Sequence, residues 1–234
     1  MLRLENIDVF YGKSQALQDV SIEVREGEFV TILGANGAGK TTIMKCIMGL
    51  LKPRKGRILY GGQDVTGRPA WDRAALGIGY VPEGRRVFPD LTVEENLRMG
   101  GYSLKDKGAV EENIEKAYGI FPRLSERRGQ LAKTMSGGEQ QMLAIARALM
   151  MDPKLLLIDE ISTGLMPILV NHSLAIVDRL HSQGITVLMV EQNANKVLKY
   201  AGRGYILKTG RITMQDSSLN LRNNDEVVRA YLGG

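Results

Sequence analysis

One nine-residue stretch constrains the fold of this chain more than any other: Gly34-Ala35-Asn36-Gly37-Ala38-Gly39-Lys40-Thr41-Thr42. An apolar run, Phe29-Val30-Thr31-Ile32-Leu33, leads into it, and a helix-like segment at residues 43–48 follows. Glycine, four residues, then Gly-Lys-Thr between a strand and a helix is the layout of a P-loop. Small residues let backbone N–H groups at a helix N-terminus close around a phosphate. The candidate ATP-binding residues are therefore Gly34, Asn36, Gly37, Ala38, Gly39, Lys40, Thr41 and Thr42, with Lys40 reaching the β- and γ-phosphates and the Thr41 hydroxyl holding Mg2+. The stretch demands an α/β core but leaves open which nucleotide machine is built on it.

The 234 residues, 44% of them hydrophobic, are enough for one substantial core with room for a subdomain. No apolar run approaches the roughly eighteen residues of a membrane span. Met1-Leu2-Arg3-Leu4-Glu5 lacks the layout of a signal peptide, so the chain is expected in the cytosol unless a membrane partner holds it. Cys46 is the single cysteine and falls on the helix after the P-loop, where it reads as a small core residue rather than a reactive thiol. The net charge of +5 comes from scattered basic residues and aromatics are only 6%, which favours solvated surface charge over a membrane contact and both over nucleic acid.

Along the chain, residues 2–10 and 16–24 read as strands separated by Tyr11-Gly12-Lys13. Tyr11 either stacks on an adenine ring or covers the sheet edge; its position does not choose. Further strands are expected at 56–60, 78–81, 155–158 and 185–190, a brief helix at 73–76, and a hairpin pairing 204–207 with 211–214. From about residue 87 to 150 the pattern turns helical, with segments at 93–99 and 108–121, and a terminal helix is expected at 225–232. Thr92 with Glu95 forms a capping box, and so does Ser136 with Glu139, which places Met142, Ile145, Ala146 and Leu149 on one helical face.

Two further motifs carry chemistry. Ser136-Gly137-Gly138-Glu139 opens a helix, whose N-terminus attracts anions. A plain structural cap is the simpler account of it. The buried strand at 155–158 ends in Asp159-Glu160, where α/β sheets bind ligands. Asp159 suits a Mg2+-holding carboxylate and Glu160 a base for an attacking water; otherwise they are a pair of solvated acids. The strand at 185–190 likewise ends in polar Glu191-Gln192-Asn193.

The order P-loop, helical insertion, Ser-Gly-Gly-Glu, then Asp-Glu resembles the ATP-binding subunits of ABC transporters across the whole chain. The resemblance implies the P-loop NTPase ABC ATPase fold: a mostly parallel core sheet, an N-terminal antiparallel β subdomain and an inserted helical subdomain. The nucleotide core would comprise 1–86 and 151–234, and the helical signature subdomain 87–150. It also implies head-to-tail dimerisation, with Ser136, Gly137, Gly138 and Glu139 serving the partner's ATP, Tyr11 stacking on adenine, and Glu160 acting as base.

Val81 to Pro89, Ser136 to Met150, Val190-Glu191-Gln192-Asn193 and Ala230-Tyr231-Leu232-Gly233 are similar, more closely, to one of the two ATPase subunits of branched-chain amino acid importers. The implied activity is Mg-dependent ATP hydrolysis coupled to import. The implied partners are a second, LivG-like ATPase subunit or a second copy, two transmembrane permeases and, indirectly, a periplasmic substrate-binding protein, with no nucleic acid. The implied place is the cytoplasmic face of the plasma membrane. Importers of urea, amides or other amino acids are the alternative, followed by a soluble ABC ATPase acting on nucleic acid or ribosomes. Where most of the family has Gln in the loop touching Mg2+ and the permease this chain has Glu83, and where most has a γ-phosphate-sensing His it has Gln192. Ile161 stands where Pro is expected and Met166 where a smaller residue is; without Pro, the loop after Glu160 is expected to relax.

Overall fold

The computed structural model describes residues 1–232. In chain order the elements begin β1 (Leu2–Tyr11), β2 (Ser14–Val24), β3 (Phe29–Leu33), α1 (Lys40–Ile47), β4 (Lys55–Tyr60), β5 (Gln63–Asp64), α2 (Ala70–Ala75) and β6 (Ile78–Val81). Helices α3 (Val93–Gly100), α4 (Lys107–Ile120), α5 (Pro122–Glu126) and α6 (Gly137–Leu149) follow. The chain then alternates through β7 (Leu155–Asp159), α7 (Pro167–Ser182), β8 (Thr186–Glu191) and α8 (Ala194–Val197), and closes with β9 (Arg203–Lys208), β10 (Arg211–Ser217), α9 (Ser218–Asn223) and α10 (Asp225–Val227).

Two sheets result. The antiparallel one has the order β2-β1-β4-β5; the six-stranded one has the order β10-β9-β3-β8-β7-β6, in which only the β9–β10 pair is antiparallel. Successive residues of a strand go to opposite faces. Val30 and Ile32, Leu155 and Leu157, Leu188 and Val190 pack into the core shared with α1 and the antiparallel sheet. Phe29 and Leu33, Leu156 and Ile158, Val187 and Met189 pack on the other face against α3, α4, α6 and α7. The same parity sends Asp159, at the end of β7, toward α1, and Glu191, at the end of β8, toward the opposite face.

Both capping boxes form as read, Thr92 with Glu95 and Ser136 with Glu139. The face expected on α6 is broader in the structure: Gln141, Leu143 and Ala144 are buried alongside Ile145 and Ala146, because the helix lies between the parallel sheet and its helical neighbours. The terminal helix is one short α turn running into a wider turn at Val228–Leu232. Val227 is buried there, whereas the Leu232 side chain expected beside it, and Gly233 and Gly234, lie outside the described residues.

Behind the P-loop, α1 is closed by a buried cation. Arg73, 1% exposed, donates to the carbonyls of Cys46 and Ile47 at the helix C-terminus and to those of Thr66 and Arg68. A positive group at that end answers the orphan carbonyls and the helix dipole. Cys46 lies in the same interior, where burial pushes its thiol up to about 12, so it stays protonated and inert as the core reading anticipates.

Candidate functional site

The C-terminal ends of β3 and β7 meet the N-terminus of α1 at a cavity of about 570 Å³. Its walls include Tyr11, Asn36, Gly37, Gly39, Lys40, Thr41, Thr42, Glu83 and Glu160, nine of the residues singled out by sequence. Gly34 and Ala38 act in the turn itself: the Gly34 carbonyl accepts from Lys40, and the Ala38 amide donates to Ala35 O at 3.1 Å. At Gly39 φ is +110, and a Cβ there would fall 2.7 Å from Leu17 Cδ2, so only glycine starts α1 at this spot.

Lys40 Nζ is held by three oxygens, Gly34 O at 2.8 Å, Ala35 O at 3.0 Å and Glu160 Oε1 at 2.9 Å. An incoming phosphate oxygen would compete with Glu160 for this buried cation. Thr41 Oγ1 donates to Asp159 Oδ1 at 3.1 Å, and Tyr80 donates its hydroxyl to Asp159 Oδ2 at 3.1 Å. Burial pushes the Asp159 carboxyl up, and the two hydrogen bonds pull against that shift. Asp159 does not itself line the cavity but lies buried behind Thr41, 3.1 Å from its hydroxyl; with Glu83 in the cavity wall, these residues offer an all-oxygen donor set. That set fits Mg2+, which keeps phosphate and water oxygens among its ligands.

Glu160 adopts φ 47, a left-handed conformation costing about 1–2 kcal/mol for a residue with a side chain. Its carboxylate is fixed from two sides, by Lys40 on Oε1 and by Thr163 Oγ1, which donates to Oε2 at 3.1 Å. The loop after it is tied rather than relaxed: Ile161 is 1% exposed, and its amide, which Pro would lack, donates to Glu191 Oε1 at 3.0 Å.

Tyr11 is 49% exposed at the rim, with its hydroxyl 3.5 Å from Thr42 Oγ1. Gln192 is exposed and does not line the cavity. Ser136, Gly137, Gly138 and Glu139 lie outside it too. There Ser136 Oγ accepts from the Glu139 amide at 3.3 Å, and Glu139 Oε2 accepts from the Ser136 amide at 2.9 Å and from its hydroxyl at 2.8 Å. The Ser136 amide bond is the largest of the effects that hold the Glu139 carboxyl below its usual range.

Sequence reasoning missed part of the cavity wall. Thr209 and Gly210, the β9–β10 turn, close over the P-loop: Gly210 N donates to Ala38 O at 2.9 Å and Gly210 O accepts from Gln18 N at 2.8 Å. Their local signal marked a hairpin turn only. Tyr80 and Thr163 were missed as partners of the two acids, since nothing in the sequence marks which strand end or loop will face them.

The family model for ABC transporters matches residues 17–163. Over 234 residues, the full length of both chains, the sequence is 51% identical to the high-affinity branched-chain amino acid transport ATP-binding protein BraG of Pseudomonas aeruginosa. The crystal structure of a nucleotide-free ATP-binding cassette from an ABC transporter superposes with a TM-score of 0.88 at 30% identity, covering 100% of this chain and 99% of that one. A dimeric cassette in a post-hydrolysis state with ADP and Pi superposes with a TM-score of 0.82 at 25% identity, covering 93% of this chain and 99% of that one.

Proposed function

This chain belongs to the ABC transporter family of ATP-binding subunits, and from that premise we propose that it is the Mg-dependent ATPase that drives a branched-chain amino acid importer. The observation that carries the reading is the meeting of Lys40, Thr41 and Glu160 in one cavity, with Asp159 buried just behind Thr41, in a chain 51% identical over its full length to BraG. ATP enters with its phosphates on the amides of residues 37–41 and on Lys40, and with its adenine against Tyr11. Thr41 and Asp159, with Glu83 nearby, would hold Mg2+, which would neutralise phosphate charge when bound. Glu160 takes a proton from the attacking water. Gln192, which does not line the cavity in the single chain, is the proposed neutral donor to the γ-phosphate, since an amide cannot become cationic.

The site is half of a pair. Residues 1–86 and 151–234 form the nucleotide core and 87–150 the helical subdomain, whose Ser136-Gly137-Gly138-Glu139 faces the ATP of a second ATPase. The dimeric cassette with ADP and Pi is the precedent for such pairing. That second subunit is LivG-like or another copy of this chain, and the pair sits on two permeases at the cytoplasmic face of the membrane, fed by a periplasmic binding protein. No helix among the described residues is long and apolar enough to cross a membrane, so membrane attachment through the permeases is the arrangement proposed.

Purification from native membranes tests the assignment. The chain is expected to bring down two permeases, and the associated binding protein to bind leucine, isoleucine and valine. Recovery of no membrane partner would overturn the transport reading, and a binding protein that takes urea or an amide instead would overturn the substrate assignment.

A further inference from the structure

Glu191 ends β8 on the face of the sheet opposite α1, 2% exposed, and plays no part in the chemistry so far described. A carboxylate so deep in the protein needs partners. Among the described residues they come from one short segment: Oε1 accepts from the Ile161 amide at 3.0 Å and the Ser162 amide at 3.1 Å, and Oε2 accepts from the Ser162 hydroxyl at 2.7 Å. One residue earlier, Val190 O accepts from the Glu160 amide at 3.1 Å. Residues 160, 161 and 162 are thus sewn in succession to the last two residues of β8.

The next residue carries the connection to the chemistry, because Thr163 donates to Glu160 Oε2 at 3.1 Å. Glu160 holds a left-handed backbone conformation, and such strain persists only where the surroundings over-determine it. Ile161 belongs to the same device: it fills a buried position and, unlike proline, offers Glu191 an amide.

We propose that Glu191 is a positioning residue for ATP hydrolysis, clamping the 161–163 turn so that Thr163 aims the Glu160 carboxylate at the attacking water. The inference rests on the reading of Glu160 as the base. Its test uses the assembled transporter, with kcat, KM for MgATP, nucleotide Kd and Tm measured for Glu191→Ala, Glu191→Gln and Ser162→Ala, and with Glu160→Gln as reference.

Glu191→Ala is expected to lower kcat about 10- to 100-fold, the scale of an ångström-sized misplacement, with Kd and KM within about twofold of the parent. Glu191→Gln keeps an acceptor for both amides and should recover most of the loss. Ser162→Ala should lower kcat by itself and add nothing in the Glu191→Ala background, because the two act as one unit. The proposal is overturned if Glu191→Ala leaves kcat within twofold while Glu160→Gln abolishes it, or if kcat and nucleotide affinity fall together. Should Glu191→Ala not fold, Ser162→Ala decides: reduced kcat at unchanged Tm and Kd supports the clamp, and unchanged kcat refutes it. If Glu160→Gln turns over normally, the base assignment fails, and that outcome is distinct from failure of the clamp.

Discussion

Glu160→Gln is expected to lower kcat for ATP hydrolysis about 10²- to 10⁴-fold, the contribution of a positioned general base. The substitution keeps the shape of the side chain and leaves an oxygen to accept from Lys40 or Thr163, so the fold and the cavity should survive it. What disappears is the proton acceptor. The Lys40–Glu160 pair also changes, because the carboxylate beside the lysine becomes a neutral amide, and an incoming phosphate competes better for Nζ. Nucleotide affinity should therefore hold or tighten while turnover stops, and the ATP-bound assembly should accumulate. Phosphate release and the Kd of a fluorescent ATP analogue, measured on the same preparation, check both halves. Turnover within tenfold of the parent would remove Glu160 from the role of base.

Lys40→Ala acts on binding. The ammonium has three oxygens within 3.0 Å, and a nucleotide would replace at least the Glu160 contact with β- and γ-phosphate oxygens. Hydrogen bonds to charged groups contribute about 1.5–3 kcal/mol each, so losing two phosphate contacts weakens MgATP binding by roughly two to four orders of magnitude. The variant also leaves the Glu160 carboxylate, its side chain only 9% exposed, without its cation, next to where the γ-phosphate must come, which adds like-charge repulsion to the lost attraction. Calorimetric titration with MgATP reads the effect directly. Affinity equal to the parent's would mean that the phosphates lie elsewhere.

What the sequence made legible is what local physics determines. The P-loop spacing, the apolar strands at 29–33 and 155–158, and the boxes at Thr92 and Ser136 each depend on residues within a few positions of one another. Strand parity even set the sides for Asp159 and Glu191, once the sheet they belong to was known. The misses are contacts between segments far apart in the chain. Tyr80 reaches Asp159 from a neighbouring strand, Gly210 closes on Ala38 from the far end of the chain, and Glu191 ties down Ile161 and Ser162 across a whole helix. The missing Pro at 161 was visible in the sequence. Its consequence was not, because the amide thereby released finds its acceptor thirty residues later.

If the cavity around Lys40 is completed by another chain, a negative charge at the partner-facing helix end should stop turnover, and Gly137→Asp places one there. Gly137 is the first residue of α6, where a carboxylate favours the helix itself. A Cβ there would lie 3.0 Å from Arg85 Nη1, the movable tip of a cationic side chain, so the new acid meets a partner rather than a wall. The fold should tolerate it, whereas a phosphate arriving at that helix end from the partner's site would meet a negative charge. In the assembled transporter kcat is predicted to fall by about 10²-fold or more, with this chain's own MgATP Kd unchanged within twofold. Turnover at the parent rate, or a matching loss of affinity at the chain's own P-loop, would contradict a site shared between two subunits.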